Sequence, residues 1–179
     1  MTMHHLIGVI ATSLVFAATA RAQKDVAACK PVFDAMFKVY TVPTHSVGTM
    51  LESAKGAKPT TIESIRTTTA TYVKIDGKWR KVPMTQVAAI AQEKENIENA
   101  KAYSCKPLRQ ESVNGVSATV YAITTASEDD RSAGQIWIAK GSGLVLRQDT
   151  DTGLDDPTSK MHMSLTYDYS NVQAPPGVQ

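Results

Sequence analysis

Apolar and polar residues alternate along the last third of the chain. Residues 134–172 contain three short strand-like runs joined by turn-forming residues, which predicts an antiparallel meander. In the third run every second side chain is large and apolar, and these side chains are Met161, Met163, Leu165, Tyr167 and Tyr169. Polar residues, including His162 and Ser164, occupy the positions between them. We therefore expect one face of this strand to be buried and the other face to be exposed to solvent.

A helical period precedes the strands. Apolar residues recur at spacings of three and four over residues 25–40, in one broad stripe made up of Val26, Cys29, Val32, Phe33, Met36, Phe37 and Tyr40. Pro31 predicts that the strongest helix begins near Cys29, and Pro43 predicts its end. The stripe indicates either core packing or a helix that plugs an open cavity.

A second helical period runs from Thr85 to Tyr103, and Pro107 is expected to end the helix. Its first half carries the spaced apolar residues, whereas residues 93–101 are mostly charged or polar. We therefore expect the second helix to contact the rest of the protein chiefly through its first half.

The remaining segments have strand composition and hairpin turns. Strands are predicted over residues 45–55, 60–66, 68–75, 108–113 and 116–126, with tight turns at Asp76-Gly77 and Asn114-Gly115. The register of the hairpin at Gly141 stays open, because either Trp137 or Ile138 can lie opposite Leu146. The order helix, strands, helix, strands predicts one α+β domain around a large antiparallel sheet.

The N-terminus has the pattern of an export signal. An apolar run from Leu6 to Ala18 is followed by Ala20-Arg21-Ala22, the small-x-small pattern of a cleavage site. We expect residues 1–22 to be a signal peptide, residues 23–173 to form one domain, and residues 174–179 to be a flexible tail. No other apolar window is long enough to span a membrane, so we expect no transmembrane segment in the mature chain.

Composition and cysteine usage agree with a secreted or periplasmic globular protein. The chain has 179 residues, of which 42% are hydrophobic and 20% charged, and its net charge of +2 gives no reason to expect nucleic-acid binding. Val26-Ala27-Ala28-Cys29 resembles a lipid-attachment motif, but the charged Lys24 and Asp25 argue against lipoprotein processing. Because Cys29 and Cys105 are the two cysteines of an exported chain, we expect a disulfide between them.

Catalytic, metal and cofactor motifs are absent from the sequence. His162 points away from Met161 and Met163 in a strand, so these three side chains cannot bind one metal ion. The acidic loop from Asp149 lacks the glycine and glutamate of a calcium-binding loop, and Ser142 lies in a turn that lacks the serine-hydrolase pattern. We expect a protein that is not an enzyme and that has neither a cofactor nor a bound metal.

Three stretches resemble one known superfamily. Residues 135–147, QIWIAKGSGLVLR, are similar to the "LWID…TGLPxR" hairpin of the LolA/LolB-like periplasmic lipoprotein carriers. Residues 167–172 match the closing "Y.(F/Y)SNV" strand of that superfamily, and residues 72–79 are similar to its middle hairpin. The resemblance implies a strongly curved antiparallel half-barrel with two helices packed on its concave side and a cavity for acyl chains.

The functional hypothesis combines this resemblance with the strand pattern. We expect an exported, non-catalytic protein that binds a hydrophobic ligand, such as a lipid or the acyl chain of a lipoprotein, inside the half-barrel. The candidate ligand-lining residues are the apolar strand residues Trp137, Leu146, Met163, Leu165, Tyr167 and Tyr169. The alternative is an envelope protein-protein interaction module with a filled core.

Export can be tested by mass spectrometry. Protein purified from the periplasm should begin at Gln23, carry no lipid, and contain a bond between Cys29 and Cys105, because the cleavage pattern ends at Ala22 and charges precede Cys29. Intact mass before and after reduction and alkylation measures all three features. A diacylglycerol adduct or two free thiols would contradict the prediction.

Overall fold

The computed structural model describes residues 24–53, 57–128, 130–156 and 158–178. The predicted signal peptide, Gln23 and Gly56 lie outside these ranges. The described chain forms two helices and nine strands, which are α1 (Val26–Thr41), β1 (Thr44–Glu52), β2 (Thr60–Arg66), β3 (Thr71–Ile75), β4 (Lys78–Val82), α2 (Gln86–Asn99), β5 (Ala102–Val113), β6 (Val116–Ala126), β7 (Arg131–Ala139), β8 (Val145–Thr152) and β9 (Met161–Asp168). No helix among the described residues is long and apolar enough to cross a membrane.

All nine strands belong to one curved, open antiparallel sheet. Their order is β4-β3-β2-β1-β9-β8-β7-β6-β5, so β4 and β5 are the edge strands. The first strand pairs with the last one along its length, from His45 opposite Asp168 to Glu52 opposite Met161. This pairing joins the block β1–β4 to the block β5–β9. The predicted α+β class with one large antiparallel sheet is confirmed.

Helix α1 begins earlier than its proline suggested. The Asp25 side chain accepts a hydrogen bond from the backbone N–H of Ala28 and caps the helix at Val26, so the predicted start near Cys29 is wrong. Pro31 lies inside the helix, where its missing N–H leaves the exposed Ala27 carbonyl without an intrahelical bond. One such loss near a solvated helix start is tolerated.

The main core lies under α1. The buried residues Cys29, Val32, Ala35 and Val39 of this helix pack against the buried strand residues Tyr103, Cys105, Ile136, Ile138 and Val145. A disulfide joins Cys29 to Cys105 and fixes α1 to the edge strand β5, as predicted. The two cysteines are 76 residues apart in sequence. Closing a loop of this length stabilises the fold by roughly 4 kcal/mol in the chain-entropy model.

Helix α2 and β5 differ from the sequence prediction. The helix ends at Asn99, and β5 begins at Ala102, so Pro107 lies within a strand and does not end a helix. The strand tolerates this proline because β5 is an edge strand and its pairing with β6 shifts register between Pro107 and Arg109.

The contacts of α2 also differ from the sequence prediction, which assigned them chiefly to the first half of the helix. Ile97 packs against the core cluster, and so does Ala100, which caps the C-terminal end of the helix. Val87, at the start of α2, is 77% exposed. Gln86, in the first half, donates to the backbone carbonyl of Tyr40, so both halves contact the rest of the protein and the first half does not dominate as predicted. The second half contacts the core through Ile97, while polar residues such as Asn96 line an open cavity.

The hairpins follow the predicted turns, and the structure defines the one register that was open. Asp76 and Asn114 both have positive φ angles and occupy the predicted tight turns. In the β7–β8 hairpin, Ile138 pairs with Val145 and Trp137 with Arg147, so neither of the two expected pairings of Leu146 is formed. Leu146 lies between these pairs, in a β-bulge that adds one residue to β8.

Two glycines allow close approach between neighbouring strands. A Cβ atom at Gly48 would overlap the carbonyl oxygen of Ser164 in β9, and a Cβ atom at Gly134 would overlap the carbonyl oxygen of Asp149 in β8. At Gly141, in contrast, an added Cβ atom would meet nothing within 4 Å, and this glycine has no positive φ angle. The sheet therefore requires glycine at its centre but not at this turn.

Substitution of these glycines tests that requirement. Gly48→Ala should lower the free energy of unfolding by about 1–3 kcal/mol, because the backbone of β9 must move away from the added methyl group. Gly141→Ala serves as the matched control and should change it by less than about 0.5 kcal/mol. Urea unfolding measures both values, and equal midpoints for the two variants would contradict the close approach.

Candidate ligand-binding cavity

The sheet has two faces with different partners. Side chains alternate between the faces along each strand, and residues directly paired across two strands share a face. Ile136 and Ile138 of β7 and Val145 of β8 point toward α1, on what we call the concave face. Trp137 and Arg147, which pair with each other, point to the opposite, outer face.

Three of the six candidate residues lie in one row on the concave face. Met163, Leu165 and Tyr167 alternate along β9, and Tyr167 packs against the core under α1. The Tyr167 hydroxyl is 3.2 Å from Oε1 of Gln148. Burial raises the pKa of the Tyr167 phenol, so this group stays neutral and able to donate a hydrogen bond.

Tyr169 lies just beyond β9 and closes the same end of the core. Its hydroxyl donates a hydrogen bond of 2.7 Å to the backbone carbonyl of Val145. Burial also raises the pKa of this phenol. Tyr169 therefore fixes the start of β8 to the end of β9.

Trp137 and Leu146 lie elsewhere. They form a second cluster with Ala118 and Val120 on the outer face. The Trp137 indole N–H donates to a carboxylate oxygen of Glu111, and the guanidinium of Arg147 lies 4.7 Å from the centre of the Trp137 ring. The six candidate residues thus do not line one common space.

A cavity lies between the two helices and strands β5 and β6. Its volume is about 430 Å³, which is within the usual range for small-ligand pockets. Its apolar wall comes from both helices and from the sheet, and includes Phe33, Met36, Ile97, Tyr103 and Ile123. Polar residues, including Ser127, Asp130 and Ser132, also line it. None of the six candidate residues lines this cavity.

Because of its apolar wall we call this space the main cavity, although a more open space of about 700 Å³ at Leu146, Tyr167 and Tyr169 is larger. Two smaller cavities adjoin the main cavity. A space of about 250 Å³ shares Glu93 and Asn96 with it. A space of about 160 Å³ shares Met36 with it and is also lined by Leu165 and Tyr167. Leu165 and Tyr167 are therefore candidate residues that line a cavity next to the main one.

A group of polar side chains separates the two smaller cavities. The Tyr40 hydroxyl donates to Oε2 of Glu93 at 3.3 Å, and the guanidinium of Arg66 lies 4.6 Å from the centre of the Tyr40 ring. Burial raises the pKa of Glu93, and the hydrogen bond from Tyr40 opposes this effect only in part. Burial likewise raises the pKa of Tyr40 and lowers the pKa of Arg66.

The two histidines of the described chain have acidic partners on the outer face. His45 Nε2 is 3.0 Å from Glu63, and His162 Nδ1 is 2.8 Å from Asp151. Neither ring forms a hydrogen bond with a hydroxyl group of the described residues. The part of the chain that the structure describes also contains no group of three or more His, Cys, Asp or Glu side chains that could hold a metal ion. These pairs therefore act as ion pairs on a strand surface when the histidines are protonated.

Comparisons with known proteins find similarity only among solved structures. No protein-family model matches the sequence, and no curated protein matches it significantly. The chain is similar to lipoprotein LppX of Mycobacterium tuberculosis, with 12% identity and a TM-score of 0.48 over 85% of this chain and 100% of that one. For LprF of Mycobacterium bovis the values are 11% and 0.44, over 82% of this chain and 95% of that one.

A third match is a LolA superfamily protein of Nitrosomonas europaea. Its identity is 8% and its TM-score is 0.28, over 83% of this chain and 95% of that one.

The burial of Glu93 predicts a pH-dependent stability difference. The pKa of Glu93 is raised in the folded state, so the folded protein favours the protonated carboxyl group. Ionisation of this group at higher pH therefore lowers the free energy of unfolding. Glu93→Gln should therefore raise the melting temperature relative to wild type at about pH 8, and this gain should disappear near pH 4. The measurement is thermal unfolding at both pH values.

Glu95→Gln, at an exposed position of the same helix, is the matched control. It should show no pH-dependent gain. An equal gain for Glu93→Gln at both pH values would mean that ionisation of Glu93 does not affect folding.

Proposed function

We propose that the protein binds the hydrocarbon chain of a lipid or of an acylated protein in the cavity between α1, α2 and the sheet. The observation that supports this proposal is the apolar wall of that cavity. In an ordinary packed core, side chains would fill such a space. Phe33, Met36, Ile97 and Ile123 are among the apolar residues of that wall. Burying such a chain removes apolar surface from water on both sides of the contact.

The packing of α2 supports entry of a long ligand. Within α2, which the structure describes in full, no residue is buried. Its N-cap is provided by the Thr85 side chain, and Gln86 holds it to the end of α1 through a 2.6 Å hydrogen bond to the Tyr40 carbonyl. Moving this helix away from the sheet would expose little apolar surface, so the cavity can widen at low cost.

The role is binding rather than catalysis in this proposal. The cavity wall exposes mainly hydrocarbon, and polar residues such as Asn96, Gln148 and Thr150 line it as well. The proposed compartment is the periplasm or the exterior, because a disulfide is stable in an oxidising environment and the N-terminus has a cleavage pattern. The domain that binds the ligand would comprise residues 23–173.

The competing hypothesis is an interaction module with a filled core. In such a module, an unfilled space of about 430 Å³ beside the core would only lower stability, since lost packing contacts destabilise a fold. The two hypotheses differ in one measurable property, which is the affinity for small apolar molecules.

Uncharged alcohols of increasing length provide the direct test. Octanol, decanol and dodecanol should bind with affinities that rise about fourfold for each added methylene group, as expected when each one is buried. Ile97→Glu should weaken dodecanol binding at least about tenfold, because it places a charge on the cavity wall. Calorimetric titration measures these affinities.

Val87→Glu is the matched control on the same helix. Val87 is 77% exposed and does not line the cavity, so its substitution should leave both binding and stability unchanged. If wild-type protein binds none of the alcohols, or if both variants bind like wild type, the proposed function is wrong.

A further inference from the structure

Arg66 occupies an unusual position at the end of β2. Its side chain lies between the sheet and α1, where Nη1 donates a 2.8 Å hydrogen bond to the backbone carbonyl of Val39. The face of the guanidinium lies against the Tyr40 ring. These contacts hold the guanidinium at the boundary of the two smaller cavities, both of which it lines.

The charge of Arg66 is not neutralised within the described chain. Among the described residues, no Asp or Glu forms an ion pair with Arg66. Its Nε atom is buried and has no hydrogen-bond partner there. An arginine remains protonated at all ordinary pH values, so burial of this group without a counter-ion costs free energy. A bound anion would remove that cost.

The surroundings of the guanidinium suit a small anionic group. The hydroxyls of Ser46 and Ser64, which are 2.7 Å apart, and the hydroxyl of Thr44 lie on the same small cavity as Arg66. One serine hydroxyl donates to the other, which leaves one hydrogen of this pair free to turn toward an anion, while the Thr44 hydroxyl donates to the Val42 carbonyl at 2.7 Å. Glu93 is the carboxyl group on the other side of Tyr40, and the Tyr40 hydroxyl donates to it.

The position of Arg66 relative to the apolar cavity suggests what carries the anion. Both smaller cavities share lining residues with the main cavity, namely Met36 on one side and Glu93 and Asn96 on the other. A molecule with its chain in the main cavity can therefore extend a head group to the guanidinium. We infer that Arg66 binds the carboxylate or phosphate head group of the amphiphile whose chain fills the main cavity.

This inference rests on the proposed function and adds the class of head group to it. The Nε and Nη2 atoms form one edge of the guanidinium, and such an edge can donate two parallel hydrogen bonds to a carboxylate or phosphate. Because Nε is shielded from solvent, the side chains around it, such as the Tyr40 ring, must shift when the head group binds.

Binding of four probes at about pH 8 tests the inference. Dodecanoate and dodecyl phosphate should each bind wild-type protein at least about tenfold more tightly than dodecanol, since a hydrogen bond to a charged group adds this much. Inorganic phosphate should compete only weakly, because it lacks the chain. Calorimetric titration under identical salt conditions gives all four affinities.

Arg66→Met isolates the guanidinium. The variant should bind dodecanol like wild type and lose the preference for dodecanoate and dodecyl phosphate. Arg80→Met, at an exposed position of β4, is the matched control and should keep the full preference. If Arg66→Met does not fold, Arg66→Gln takes its place, because its neutral amide keeps polar hydrogen-bonding groups at this position without the charge.

The outcomes separate the inference from the function on which it rests. Equal affinity of wild-type protein for dodecanol and the two anionic amphiphiles, or a preference that survives Arg66→Met, would overturn the head-group assignment while the proposed function stands. Inorganic phosphate that competes as well as dodecyl phosphate would show a free-anion site and would also overturn it. Failure of every amphiphile to bind would reject the proposed function itself.

Discussion

The packing of α1 across the sheet is the interaction on which the rest of the structure depends. Four buried residues of this helix contact the concave face, and the Cys29–Cys105 bond fixes the same helix to the edge strand β5. Helix α1 therefore packs on strands β5, β7 and β8 together. Among the described residues, no other element packs as tightly on the concave face, because α2 packs mainly on α1 and buries none of its residues. The cavity lies where α1 no longer covers the sheet.

Close strand packing and polar side chains shape the part of the concave face that α1 does not cover. Gly48 and Gly134 let neighbouring strands approach closely at the centre of the sheet. Tyr40, Arg66 and Glu93 place charged and hydrogen-bonding groups beside an otherwise apolar wall. The consequence is one apolar compartment next to two smaller, more polar ones, an arrangement that matches the two ends of an amphiphilic molecule.

Local patterns predicted the parts of the fold that local forces determine. The apolar stripe of α1, the turns at Asp76 and Asn114, and the strands β2 and β6 all have clear periodicity or turn residues. The β7 run Ile136-Trp137-Ile138 is apolar at every position, so alternation could not tell which side chains face α1. The sequence alone therefore could not separate Trp137 from the residues of the concave face. Ile97 was missed because it is an isolated apolar residue in a polar half-helix whose neighbours are set by tertiary packing.

The pairing of β1 with β9 has a consequence for the order of folding. The strand nearest the start of the described chain and the strand nearest its end lie side by side at the middle of the sheet. While the chain emerges from the ribosome, the block β1–β4 has no partner for one edge until β9 has been made. Contacts so distant in sequence form late and slowly. A nascent chain of this topology therefore stays incompletely folded until β9 has been synthesised.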